Sequence, residues 1–463
     1  MTTQTLTPHR TSPADDRAFL GHPRGLAVLA ATEGWVGFSL YGMQSLLVLY
    51  MSAQLLRPGH VEHVWGFGAF RSLIGLLMGP VTGVALAAAI MGLYSATIWA
   101  TPILGGLLAD RLLGRTRTII LGSVLMTAGH FLLAFDATFL IALACLITGL
   151  GCAGSLKAQV SGLYGPADTR RADAFQLYSL AVSIAVVVSP LVCGTLGEDY
   201  AWHWGFAAAG LGMLLGLLTY LGGRRWLPPE PVAGRVLHSV VAKTGLTRTD
   251  KRVLLVLAAM LPVLAMASVG NMEIFNGYLL WGQQNYALVF DGHTMPVSWL
   301  VSLDAFFGIG TLASSMLFWR WWGRHWRLPG EIVRIAGASV LLMLAPLILA
   351  LASFQADGHK IGLGWGLAFH LVNDFGFSNF YPVGMALYAR RAPRALGATV
   401  VNAFVLHLFL ANLLVARLAG LVTQMSGTRF WLLHAALIGS ATILLAAFAL
   451  LFGRLLASPQ DAA

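Results

Sequence analysis

Charge is scarce in this chain. Of its 463 residues only 10% are Asp, Glu, Lys or Arg, against about 25% in soluble domains, which excludes a water-soluble globular fold. Cysteine is nearly absent, and Cys145, Cys152 and Cys193 all lie in apolar stretches, so no disulfide framework is implied. Residues 1–24 lack the apolar core of about 7–15 residues that a cleavable signal needs, and they read as a cytoplasmic tail. No GxxxxGK[ST] loop occurs, so direct ATP coupling has no support. What the chain has is apolar residues, 57% of the total, spread along its whole length. That spread rules out a single anchor on a soluble head. At about 20 residues per membrane helix plus a short loop, there is room for roughly a dozen spans.

Long apolar runs bounded by charge supply twelve. They cover 25–52, 81–109, 118–136, 138–165, 172–196 and 202–222, then 256–289, 297–319, 331–354, 361–389, 395–421 and 430–453. Residues 223–252 are the long polar stretch in mid-chain and divide six spans from six. The expected organisation is a tail (1–24), an N-terminal bundle (25–222), a cytoplasmic linker (223–252), a C-terminal bundle (253–454) and a second tail (455–463). Residues 53–80 read as an amphipathic surface segment. With both termini in the cytoplasm, most Lys and Arg fall in inner connections. The exceptions are Arg57, Arg71, Lys360 and Arg429 outside, and Lys157 and Arg417 within spans. That bias accounts for the net charge of +10 without a nucleic-acid partner. Two six-helix halves point to a secondary transporter with its site near the bilayer midplane. The expected fold class is thus an all-α membrane protein of two six-helix halves.

Charges within spans are costly and need a partner or a wet cavity. They are Glu33, Lys157, Glu273, Asp304 and Asp374. Glu33, Gly37, Tyr41 and Gln44 recur at helical spacing and share a face of the first span; Asp374, Phe377, Ser378 and Tyr381 share one in the tenth. Trp99 and Tyr178 are further candidates for a cavity wall. His130, His370 and His407 read mainly as satisfied core histidines. The group His60/Glu62/His63 has no further ligands, so neither a metal nor a cofactor is expected.

The segment Gly106-Leu-Leu-Ala-Asp110-Arg111-Leu-Leu-Gly114-Arg115 resembles the inner-loop signature of the major facilitator superfamily. There Asp110 would sit at a helix N-terminus or pair with an arginine, and the glycines would let helices approach. Glu33-Gly-Trp-Val-Gly37-Phe-Ser-Leu-Tyr41-Gly-Met43 resembles the E-x-x-E-R-F-x-Y-Y-G-M motif of proton-dependent oligopeptide transporters. Lys157 in GSLKAQVSGLYG, PVSWLVSL at 296–303 and Tyr381-Pro-Val-Gly384 are similar to that family as well. The resemblance implies a twelve-helix major facilitator that binds peptide-like substrates and couples to protons. From the helix faces and the aligned positions together, the expected substrate contacts are Glu33, Tyr41, Gln44, Trp99, Lys157, Tyr178, Gln283, Gln284, Asp304, Asp374 and Phe377. The expected proton-coupling groups are Glu33, Lys157, Asp304 and Asp374.

The departures bear on function. The motif's second Glu and its Arg are Val36 and Gly37, a further basic position is Gln44, and the acids of spans 7 and 10 are Gly282 and Phe377. Asp304 stands where the family has asparagine. Ordinary di- and tripeptide transport is therefore doubtful. The loss of bulky charged groups is expected to open volume for a ligand larger than a dipeptide, with a cationic or hydrogen-bond-donating end near Asp304. The reading that results is proton-coupled uptake of a peptide-like or zwitterionic compound, such as a modified peptide, siderophore-like molecule or amino-acid conjugate. Its rivals are proton-antiport export of such a compound and a non-transporting receptor or assembly protein. The expected partners are that substrate, protons and lipid. The expected setting is a monomer crossing a bacterial-type cytoplasmic membrane many times.

Overall fold

The structure, a computed structural model, describes residues 16–165, 168–228, 246–393 and 396–457. Eight helices precede the mid-chain polar stretch: α1 (Arg24–Tyr50), α2 (Phe67–Met78), α3 (Gly83–Leu108), α4 (Arg115–Leu132), α5 (Phe139–Ala153), α6 (Leu156–Gly162), α7 (Arg171–Ser189) and α8 (Trp202–Gly223). Seven follow it: α9 (Arg248–Met272), α10 (Gly277–Asn285), α11 (Trp299–His325), α12 (Glu331–Ala356), α13 (Leu363–Arg391), α14 (Gly397–Leu418) and α15 (Gly427–Leu456). Strands β1 (Val289–Phe290) and β2 (His293–Thr294) form a hairpin, which turns through Asp291-Gly292 with both residues at positive φ, as a two-residue turn requires.

Ten helical stretches are long and apolar enough to cross a bilayer. Helices α4 and α13, which coincide with the other two expected spans, are not among these ten. Their apolarity is diluted, in α4 by Arg115, Arg117 and His130 and in α13 by His370, Asn373, Asp374 and Asn379. The fold class is all-α, as expected, but three spans differ in detail. The expected span 138–165 is two helices, α5 and α6, separated by a turn at Gly154-Ser155. The span 172–196 leaves α-helix at Pro190 and continues as π-turns. The span 256–289 breaks at Glu273–Phe275, a 3-10 turn, and its helix ends at Asn285. Most of the linker (229–245), residues 1–15 and residues 458–463 fall outside the described residues, and so does Arg394.

The chain divides into two compact units. The N-terminal unit holds the described residues up to Leu46, His63–Trp65 and the described part of Ala100–Ser239. Compared with the halves read from the sequence, the C-terminal unit also takes Leu47–Glu62 and Gly66–Trp99. Within the N-terminal unit, α4 and α5 cross at small residues: a Cβ on Gly122 would lie 2.6 Å from the Gly149 carbonyl oxygen, and one on Gly149 would lie 2.7 Å from that of Gly122. The core of the C-terminal unit gathers Met260, Leu264, Ile335, Leu342, Phe380, Phe404 and Ile438. Thr247 starts α9 with a capping box to Asp250. Helices α11 and α13 run parallel, linked by Asp304–His370, Thr311–Ser378 and Ser315–Asn379. That register sets the polar centre described next.

Candidate functional site

Asp304, half-buried on α11, meets α13 one turn before Asp374. His370 and Asp374 are four residues apart and so share a face of α13. His370 Nδ1 lies 3.0 Å from Asp304 Oδ1, and its Nε2 lies 2.8 Å from the Tyr278 hydroxyl of α10. The Tyr278 hydroxyl is in turn 3.2 Å from that of Tyr286. A Cβ on Gly366 would stand 2.7 Å from the Tyr286 hydroxyl oxygen, so this glycine makes room for the two phenols. Phe369 and Trp281 stack on Tyr278 at 5.1 and 6.4 Å, and Tyr286 and Trp431 meet it edge-on. Asn373 Nδ2 donates to Asp374 Oδ1 at 3.3 Å, while among the described residues no N–H or hydroxyl group donates to the buried Asp374 Oδ2. One ligand atom each from Asp304, His370 and Asp374 lies within 4.8 Å of the others.

A second buried pair sits at the break between α9 and α10. Glu273 Oε1 is 2.9 Å from His434 Nε2, and its Oε2 accepts from Gly277 N–H at 2.8 Å. His434 Nδ1 is 2.8 Å from the Phe430 carbonyl, so that nitrogen carries a proton. The Nε2–Oε1 contact then needs one more proton between the two groups. The pair as a whole is neutral.

In the N-terminal unit Glu33 is half-buried beside Tyr178 on α7. The two are neighbours without hydrogen-bond geometry, and the Tyr178 hydroxyl is buried. Lys157 acts on Glu33 through its charge, yet among the described residues it forms no ion pair, and it is exposed at the start of α6. The turn at Gly154-Ser155 precedes it and leaves it exposed. Gly37 also differs from expectation. A Cβ there would lie 3.3 Å from that of Ala185, so α7 has closed over the position and the lost arginine opens no volume. Tyr41 and Trp99 are half-buried, and Gln44 is buried. Gln283 and Gln284 are exposed at the end of α10, where the Gln284 carbonyl accepts from Lys360 at 2.7 Å. Phe377 stacks on Tyr381 at 5.6 Å.

The gate segment is described only in part, since the Asp110 side chain lies outside the described residues. Its backbone belongs to a π-turn, Ala109–Leu113, at the end of α3, so it is not at a helix N-terminus. Arg111 is exposed and Arg115 half-buried. Gly114, at φ 78°, breaks the chain before α4. The glycine in close approach is Gly105, whose Cβ would overlap the Gly151 carbonyl; Gly106 faces open space. His130 is buried with neither ring nitrogen partnered, unlike a satisfied core histidine. Arg417 donates to the Leu77 carbonyl at the end of α2. Among the described residues His60, Glu62 and His63 do not gather as a metal group, and Glu62 accepts from Gly59 N–H. The sequence reading missed Tyr278, Tyr286 and His434 altogether. It named His370 only as core; following the Asp374 face one more turn toward the N-terminus finds it.

The sequence model of the POT family matches residues 116–259. Over 470 residues, 90% of this chain and 91% of its relative, the chain is 26% identical to the uncharacterized transporter YclF of Bacillus subtilis (strain 168). It is 35% identical over 219 residues to the di-/tripeptide transporter of Lactococcus lactis subsp. lactis (strain IL1403), a match covering 46% of this chain and 40% of that one. Among solved structures, a mutant of peptide transporter POT in complex with alafosfalin superposes with a TM-score of 0.80 at 23% identity, covering 95% of this chain and 97% of that one. A POT family transporter in complex with 5-aminolevulinic acid gives 0.77 at 20%, covering 94% and 97%. A POT-family segment at residues 116–259, a full-length likeness to a bacterial transporter and the fold of solved peptide transporters together make this multi-pass chain similar to transporters of the POT family.

Proposed function

We propose that this transporter takes up a peptide-like or zwitterionic compound together with protons, by alternating access. Glu33 carries the reading. It is the one acid that remains from the motif of the first span, and it lies beside Tyr178 and within the field of an exposed Lys157. A carboxyl in such a place binds a proton while the ammonium is distant and releases it when the ammonium approaches. A change of a few units, each worth about 1.4 kcal/mol, spans the physiological range. Opposite charges on Glu33 and Lys157 also suit the two ends of a zwitterion. The Lactococcus relative is named for di- and tripeptides, and the solved neighbours hold alafosfalin and 5-aminolevulinic acid. Tyr41, Gln44, Trp99 and Tyr178 are offered as further contacts to the substrate. The proposed setting is a bacterial cytoplasmic membrane, with both termini and the linker on the inner side.

Reconstituted vesicles with an imposed pH difference test it, with labelled alafosfalin and 5-aminolevulinic acid, the compounds that the solved neighbours hold, as probes. The parent should accumulate at least one of them. Glu33→Gln and Lys157→Ala should express normally, since no ion pair is lost, and should still exchange substrate across the membrane. Neither should concentrate it. If both variants accumulate the probe as well as the parent does, Glu33 and Lys157 are not the coupling groups. If the parent moves neither probe, the substrate class is wrong.

A further inference from the structure

The trio Asp304, His370 and Asp374 carries more negative charge than its surroundings balance. Asp374 is 4% and His370 0% exposed, while the Asp304 side chain keeps 17% of its surface open. Among the described residues neither carboxyl has a Lys or Arg partner; His370 is the one titratable base that touches them. Two carboxylates that share a buried site repel each other and call for a cation. Among the described residues no N–H or hydroxyl group donates to the buried Oδ2 of Asp374, which has only the Asp304 carboxyl nearby, and a buried acceptor without a donor is costly. The groups that face the trio are Tyr278 from α10, Tyr286 just after it and Asn373 from α13.

The hydrogen bonds around the trio leave three donor atoms available to a single cation. With a proton on Nε2, His370 donates to the Tyr278 oxygen, and the Nδ1 lone pair then points toward Asp304 Oδ1. Asn373 holds Asp374 by Oδ1 and leaves Oδ2 open. The three ligand atoms, within 4.8 Å of one another, would need only small rotations to meet one ion at bonds of about 2.0–2.2 Å. An ammonium group would use the acceptors but leave one negative charge unbalanced. A divalent cation uses all three donors and brings the net charge to zero. A mixed imidazole and carboxylate set suits ions of the zinc, ferrous or manganese class. Tyr278 and Asn373 act as the outer partners that fix ligand orientation.

We propose that Asp304, His370 and Asp374 bind one divalent transition-metal cation, reached from the open side of Asp304. The remaining coordination positions are left to water or to a donor atom of the transported compound. The site stands on its own geometry, and binding is measured without any transported compound, so its failure is separate from failure of the transport reading.

The test uses the full chain, purified in detergent and stripped with EDTA, in a His60→Ala/His63→Ala background that removes the histidine pair beside Glu62. Calorimetric titration with Zn2+ should show one equivalent bound. Asp304→Asn, His370→Gln and Asp374→Asn should each weaken binding at least tenfold. Tyr278→Phe, which keeps the ring, should weaken it by about tenfold. Each variant is checked for monodisperse elution. X-ray absorption of the zinc-loaded background protein gives an answer that needs no further variant: one imidazole nitrogen among oxygen donors is expected. No stoichiometric zinc binding, binding indifferent to all three ligand substitutions, or a shell without imidazole would each overturn the site. The carboxyl pair would then be balanced by a proton or a substrate amine.

Discussion

At the scale of single residues, the most demanding group is Glu273. It is fully buried, and its partners are Gly277 N–H and His434 Nε2. Removing His434 strands one carboxyl oxygen among Phe430 and Trp431 rings, and breaking a buried pair costs about 3–5 kcal/mol. His434→Phe should therefore lower the thermal unfolding temperature in detergent sharply. Glu273→Gln should cost far less, because an amide still accepts from Gly277 and donates to His434. The double variant Glu273→Leu/His434→Phe should be more stable than His434→Phe alone, since no charge remains. If His434→Phe melts like the parent, the pair is not structural. Glu273 was legible in the sequence as an intramembrane acid, but its depth was not. Its partner lies 161 positions away, and no periodicity links the two. Asp304 and Asp374 were legible for the same reason, their rarity in apolar runs, whereas His370 passed as an ordinary core histidine. The exposure of Lys157 was not legible, because nothing in the sequence marks the turn two residues earlier.

At the scale of elements, hydropathy located the spans and said little about where they break. The seventh expected span parts into α9 and α10 because Asn276 leaves helical geometry, at φ −134° and ψ −103°, and donates to the Ala88 carbonyl at 2.9 Å. Glu273 then caps the new helix at Gly277. Neither proline nor a polar run announces that break. Gly366 is the position where α10 and α13 depend on each other. An alanine methyl there would stand 2.7 Å from the Tyr286 hydroxyl and 3.3 Å from that of Tyr278. Gly366→Ala should cost about 1–3 kcal/mol through overpacking and should part the two phenols. Tyr286→Phe removes the nearest atom and breaks one weak hydrogen bond. In that background Gly366→Ala should be milder, with a coupling of roughly 1 kcal/mol between the two sites. Thermal melts of the four proteins give the cycle, and strict additivity would show that the clash relaxes elsewhere.

At the scale of the whole molecule, each unit keeps its own charged centre, Glu33 with Tyr178 and Lys157 in one, and Asp304, His370 and Asp374 in the other. That the chain crosses a membrane many times was readable because apolar runs of membrane length recur along it. The composition of the units was not, because it depends on packing between helices distant in sequence, such as Gly92 against Ala416. The N-terminal segment is tied down in the same long-range way. Arg170 reaches back 154 positions to Asp16, at 3.2 Å, and donates to the Gly21 carbonyl at 3.1 Å, while Asp168 holds it from the other side at 2.8 Å. His22 adds a contact to the Tyr164 hydroxyl at 2.9 Å. The hydrogen bond from Arg170 keeps the Asp168 carboxyl below the usual carboxylate range. A group whose folded value is depressed contributes above its unfolded value and loses its contribution as pH falls through the folded one. This tie should thus be unchanged from about pH 8 to 5 and should loosen only below the usual carboxylate range, near pH 4. A spin label at Ala18→Cys, in a chain otherwise unchanged, reports it. Its mobility should stay constant to about pH 4 and then rise, and Arg170→Ala should make it mobile at every pH. A rise centred between about pH 6 and 7, where imidazoles titrate, would assign the tie to His22 and Tyr164 and sink the role given to Arg170 and Asp168.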